Sequence, residues 1–158
     1  MLIRKARITD VERIQRLIND YARQGLMLPR PLSLLYESLR DFVVAEEEGR
    51  VVGTAGLHII WRDLAEIRGV AVDPGHARRG IGNALVENLV REAASLGIPQ
   101  VFVLTARPDF FARCGFSQVP KESMPQKVWR ECINCPQFPT CNEVAMTRRT
   151  QPLNPPST

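Results

Sequence analysis

The stretch Val70-Ala71-Val72-Asp73-Pro74-Gly75-His76-Ala77-Arg78-Arg79-Gly80-Ile81-Gly82 runs from a β-branched strand through a Pro-Gly break into two glycines that open a helix. From Gly80 to Leu96 the apolar residues Ile81, Ala84, Leu85, Leu89 and Ala93 recur at helical spacing, and Gly97 stops the run. Val101 to Leu104 follows, short and almost wholly apolar, as expected of a strand covered on both faces. Strand, long helix and buried strand in this order predict a parallel step across the helix.

The flanks are antiparallel in character. Phe42 to Glu47, a turn at Glu48 and Gly49, and Val51 to Ile60 read as a hairpin, and Ala65 to Val72 is the strand that follows it. Upstream, Leu2 to Ile8 reads as a first strand. Thr9 with Glu12 three positions on has the form of a capping box, and Val11, Ile14, Leu17, Ile18 and Tyr21 make the apolar stripe of a helix that ends at Gly25. Leu26 to Pro31 is a loop, and Pro31 to Leu39 a second helix. Downstream come a short helix at Asp109 to Cys114 and strands at Phe116 to Val119 and Val144 to Arg148. The fold class is therefore α/β (α+β): a mixed, mostly antiparallel central sheet flanked by helices.

The 158 residues, 44% of them hydrophobic, suffice for one core, so residues 1–149 are expected to form one domain that includes the Cys-containing segment 121–143. The Pro-rich tail, 150–158, is expected to stay disordered. No apolar run approaches the roughly 20 residues that span a bilayer, and the N-terminus lacks a secretory pattern, so a cytoplasmic protein without membrane contact is expected. Net charge is +4, but the basic residues are interspersed with acidic ones, which argues against nucleic acid and fits a small phosphate-bearing ligand.

The first turn of a helix carries unpaired N–H groups and partial positive charge, and so receives phosphate. Gly80 and Gly82 let oxygens approach the main chain, while Arg78 and Arg79 could add charge-assisted bonds. The alternative is a tight turn with solvated arginines. A dinucleotide fold would need G-x-G-x-x-G after the first strand, and a P-loop its lysine. Neither is present.

On these residues the chain resembles the GNAT superfamily of acetyl-CoA-dependent N-acetyltransferases over about residues 2–120. In that family the loop Q/R-x-x-G-x-G/A binds the CoA pyrophosphate, here at Ala77, Arg78, Arg79, Gly80, Ile81 and Gly82, with Ala77 departing from the usual Gln or Arg. The resemblance implies that the fourth strand splays from the fifth. Free backbone groups of Val70, Ala71 and Val72 would then hold the pantetheine arm and thioester carbonyl. Phe111 stands where many members carry a tyrosine that protonates the leaving thiolate, and is kept as a cofactor-binding residue. Gly25 to Arg30, Phe42 to Glu46, Asp63 to Val72 and Lys127 to Cys132 are similar to the acetyltransferase domains of the N-acetylglutamate synthase family, the short bacterial forms without an amino-acid-kinase domain. Acetyl transfer to an amino acid, L-glutamate first, in arginine biosynthesis is what this implies. The alternatives are another amine acceptor, small molecule or protein, and a non-catalytic module sensing CoA or metal. A homodimer is also compatible with the sequence.

An α-amino group is mostly protonated at neutral pH, so a base is useful. Glu66 and Arg68 alternate onto one face of an apolar strand, an expensive place for charge unless the residues work or pair. Glu66 is the candidate base; the alternative is that it and Arg68 neutralise one another. Arginine suits carboxylates, so Arg30, Arg68 and Lys127 are the substrate-binding candidates. Cys132, Cys135 and Cys141 have the spacing of half a zinc site without a clear fourth ligand, and either hold zinc or another metal or remain free thiols. Cys114 reads as a small core residue.

Overall fold

The computed structural model describes residues 1–125, 128 and 143–150. Its elements are β1 (Leu2–Lys5), α1 (Val11–Arg23), α2 (Leu32–Glu37), β2 (Phe42–Glu47), β3 (Arg50–Trp61), β4 (Leu64–Val72), α3 (Ile81–Ser95), β5 (Gln100–Thr105), α4 (Pro108–Arg113), β6 (Ser117–Val119) and β7 (Val144–Arg149). Seven strands form one sheet in the order β1-β2-β3-β4-β5-β7-β6. Every neighbouring pair is antiparallel except β4 with β5, the parallel step across α3. No helix among the described residues is long and apolar enough to cross a membrane.

The helices divide the core into two faces. Ile81, Leu85, Leu89 and Ala93 of α3 are buried against Val52, Ala55, Ile67 and Val101 on one side of the sheet. Val11, Ile14, Leu17 and Ile18 of α1 join Leu35 of α2 against Phe42, Val44 and Ala71 on the other. Burying each large aliphatic side chain in these stripes contributes about 1.5–3 kcal/mol, which is why 3.6-residue periodicity located both helices.

The start of α1 differs from the expected Thr9 cap. The first strand stops at Lys5, Ile8–Asp10 make a 3-10 turn, and the Asp10 carboxylate accepts the Arg7 N–H at 2.7 Å. Arg4 of β1 clasps the same carboxylate at 2.8 and 3.1 Å. A carboxylate neutralised by a guanidinium anchors the turn more strongly than a hydroxyl, and that partner lies on another element.

A bulge in β4 sets the functional geometry. Thr54 pairs with Ala71 but Gly56 pairs with Arg68, so β4 carries one residue more than β3 between those points. Gly69, at φ +61, absorbs the kink. Side-chain parity flips across it: Ala65 and Ile67 face α3, yet so do Val70 and Val72, while Ala71 faces α1.

Candidate functional site

Beyond the bulge, β4 and β5 part. Their pairing is confined to Ala65 with Val101 and Glu66 with Phe102. The gap that opens toward their C-terminal ends is a cavity of about 440 Å³ lined by Val70 and Val72 of β4, Ile81, Gly82 and Asn83 of α3, and Arg107 and Phe110, among others. Crevices at the carboxyl ends of diverging strands are where open α/β sheets bind ligands.

One wall of the cavity is formed by the start of α3. Gly80, at φ +78, caps α3, and Arg78 before it is also left-handed at φ +66, so the loop curls over the helix start. The first-turn amides of Ile81, Gly82 and Asn83 precede the first intrahelical bond, from Ala84 N–H to the Gly80 carbonyl at 3.0 Å. They point a partial positive charge at the cavity, which Arg78, His76 and Arg113 also line. Asp73 pins the loop, accepting from Gly75 N–H at 3.4 Å and sitting 3.1 Å from His76 Nδ1. Burial pushes the Asp73 carboxyl upward, but Gly75 N–H, His76 and Arg13 outweigh it and hold it below the ordinary carboxylate range. Arg79 lies across the loop on Glu47 at 3.3 Å and is 57% exposed, so it can swing to a ligand at little cost.

The strand edge itself is engaged by side chains. Arg107 Nη2 donates to the Val70 carbonyl at 2.7 Å. The Tyr21 hydroxyl accepts from Val72 N–H and donates to the Val72 carbonyl, both at 3.2 Å. The edge groups expected to be free are thus held by a phenol and a guanidinium that stack on each other, with Arg107 Cζ 4.7 Å from the Tyr21 ring centroid.

The sequence-derived residues fall in several places. Val70, Val72, Arg78, Gly80, Ile81 and Gly82 line the cavity; Ala71 is buried toward α1 and Arg79 lies outside the lining. Phe111 is buried in the core, edge-on to Phe116, and its neighbour Phe110 lines the cavity instead. Cys114 is buried, which pushes its thiol up. Arg68 Nε donates to Glu66 Oε1 at 2.7 Å, with side chains only 15% and 14% exposed. Arg30 follows α1 in the loop whose Met27 packs on the α1-side core, and its carbonyl accepts from Gln15 at 3.0 Å. Lys127, Cys132, Cys135 and Cys141 lie outside the described residues. Sequence reasoning missed Tyr21, Arg107, Phe110 and Asn83. The one usable signal was Arg107-Pro108 just past the end of a buried strand, with Ala106 between, a place where such folds bind ligands.

The cradle fits a pyrophosphate, and the gap beside β4 fits a narrow polar arm running from it. A Cβ on Gly82 would stand 3.0 Å from the Phe110 ring and 3.8 Å from Val72. Gly82→Val is accordingly expected to weaken CoA binding about tenfold or more, roughly 1.4 kcal/mol, as read by calorimetry. Unchanged affinity would place the pyrophosphate elsewhere.

Comparison with known proteins agrees with this geometry. Residues 10–116 match the model of the acetyltransferase (GNAT) family. An uncharacterised N-acetyltransferase of Chlorobaculum tepidum is 40% identical over 146 residues, 92% of this chain and 94% of that protein. An amino-acid acetyltransferase of Mycobacterium tuberculosis is 42% identical over 133 residues, covering 82% and 76%. The crystal structure of N-acetylglutamate synthase from Neisseria gonorrhoeae, complexed with coenzyme A and N-acetyl-glutamate, superposes with TM-score 0.87 at 26% identity, over 96% of this chain and 35% of that one. With a parallel strand pair that parts beside a glycine-opened helix, and with these likenesses, the chain belongs to the GNAT family of acetyltransferases.

Proposed function

We propose that this acetyltransferase acts on the α-amino group of an amino acid, with L-glutamate the favoured acceptor. The observation that carries the reading is the Glu66–Arg68 pair, a carboxylate and a cation side by side on β4, just before the bulge that turns the strand edge toward the cavity. The amino-acid acetyltransferase and the N-acetyl-glutamate complex among the similar proteins support it. Arginine biosynthesis belongs to the same reading through the likeness to N-acetylglutamate synthase, and a cytoplasmic location and a homodimer are carried with it as expectations from the sequence.

Acetyl-CoA supplies an acyl group activated as a thioester. The first-turn amides of α3, with Arg78 and Arg79, would hold its diphosphate, and the gap beside Val70 and Val72 would take its arm. Glu66 takes the ammonium proton of the acceptor, directly or through a water, so that the nitrogen lone pair is available. Arg30, Arg68 and Lys127 supply cations for the acceptor's carboxylates, arginine through its two-pronged donor geometry.

Thiol release from acetyl-CoA with a panel of amines tests this. Glutamate is expected to exceed the other amino acids in kcat/KM by about tenfold or more; turnover only with polyamines or protein amines, or with no amine, overturns it. Arg30→Ala is expected to raise the glutamate KM about tenfold with little change in the acetyl-CoA KM. Equal effects on both would remove Arg30 from the acceptor site.

A further inference from the structure

Phe111 leaves a chemical gap. By the resemblance to the family it stands where many members carry a tyrosine, and its ring is hydrocarbon, buried at 3% exposure and packed edge-on against Phe110 and Phe116. Nothing at that position can answer the negative charge that appears on sulfur.

The strand gap holds a cation fixed from several sides. Arg107 stands two residues past the end of β5, and its N–H donates to Thr105 Oγ1 at 2.8 Å, which fixes the backbone. Its guanidinium donates to the Val70 carbonyl at 2.7 Å and stacks between Tyr21 and Phe110, with Cζ 4.7 and 5.5 Å from the ring centroids. Tyr21 is itself held by its two bonds to Val72, so the platform beneath the cation is rigid. Partly burying a charge is costly: burial pulls the Arg107 guanidinium below its ordinary value, with Tyr21 opposing. Arginine nevertheless stays protonated in proteins, and its five N–H donors exceed what one carbonyl accepts.

We propose that Arg107 stabilises the departing thiolate, donating charge-assisted hydrogen bonds to sulfur as the carbon–sulfur bond breaks. This rests on the reading that the thioester arm lies in the β4–β5 gap. The acceptor nitrogen forms the new bond to the acetyl carbon and loses a proton to Glu66 or water. The electron pair of the broken carbon–sulfur bond stays on sulfur. Arg107 gives up no proton, and the thiolate takes one from solvent on release. A fixed cation aimed where charge develops acts without reorganisation and does so most strongly where water is excluded.

A cation that stabilises the thiolate must also acidify the thiol of bound product. Ultraviolet titration of CoA bound to the wild-type protein is expected to show the thiol about one unit or more below free CoA, a tenfold or larger preference for thiolate. Arg107→Gln is expected to abolish that shift and Arg107→Lys to keep part of it, while both bind desulfo-CoA within about threefold of wild type. An unshifted thiol in the wild-type protein overturns the proposal without any variant. So does Arg107→Gln weakening desulfo-CoA as much as CoA, because Arg107 would then only hold the arm. CoA bound with its sulfur outside the gap, as a crystal structure of the complex would show, defeats the proposal while leaving the acetyltransferase reading intact. Failure to bind both CoA and desulfo-CoA defeats the two together.

Discussion

Glu66→Gln is expected to lower kcat for glutamate acetylation by roughly 10²- to 10⁴-fold at neutral pH, with the acetyl-CoA KM little changed. The substitution keeps the shape of the side chain and an oxygen that can accept from Arg68 Nε, and removes only the charge and the basicity. The deficit should narrow as pH rises, because more of the acceptor then arrives as free amine and needs no base. A purely electrostatic partner for Arg68 behaves differently. If Glu66 does nothing but neutralise that largely buried cation, the Glu66→Gln deficit should be the same at every pH, because the loss then falls on Arg68 and not on the amine's proton. The base role requires the deficit to shrink as the amine deprotonates. Steady-state rates of wild type and Glu66→Gln between pH 6.5 and pH 9.5, a range of roughly three units, separate the two outcomes.

How far the fold could be read from residues alone depends on whether each signal is local. Ile81, Leu85 and Leu89 repeat at helical spacing and Gly97 ends the run, so α3 followed from one window of sequence. The hairpin at Glu48 and Gly49 was equally local, and both residues take positive φ as the turn requires. The bulge left no such trace. Gly69 sits in a run that alternates well on either side, and the extra residue becomes visible only as a register change against β3. Tyr21 belongs to the apolar stripe of α1 and was read as core. Its hydroxyl finds its partners on Val72, on a strand far along the chain, and no local pattern announces that. Arg107 meets Val70 across a parallel pair that has already come apart, so strand pairing could not have predicted the contact. The cradle was legible because a glycine-opened helix start is a local motif; the side chains that close the gap come from three separate segments.

Arg4→Met is expected to destabilise the fold by about 3 kcal/mol at neutral pH, near the low end for breaking a buried ion pair. Arg4 and Asp10 have side chains only 14% and 8% exposed, and Arg4 also reaches Glu46 at 3.1 Å. Methionine fills much of the same space, so the loss falls on charge rather than on packing. Asp10 keeps the Arg7 N–H, which limits the damage. The pH dependence identifies the cause. Burial pushes the Asp10 carboxyl up, but Arg4 and the Arg7 N–H outweigh it and hold it below its ordinary value of 3.8. A carboxyl lowered in the folded state contributes stability that is present above its unfolded value and is lost as pH falls through the folded one. In the wild-type protein that loss therefore lies below pH 3.8. Without Arg4, burial is opposed only by the Arg7 N–H and the Arg7 charge, and Asp10 becomes protonated at a higher pH than in the wild-type protein, whereupon it no longer needs a cation. The gap in urea midpoint between wild type and Arg4→Met should therefore be widest near neutrality and shrink toward pH 4, roughly where carboxyls titrate. A gap that stays constant over this range would show that Arg4 supports the fold through its hydrocarbon stem. The anchoring of α1, and with it the platform that Tyr21 gives Arg107, would then have to come from the apolar face of the helix alone.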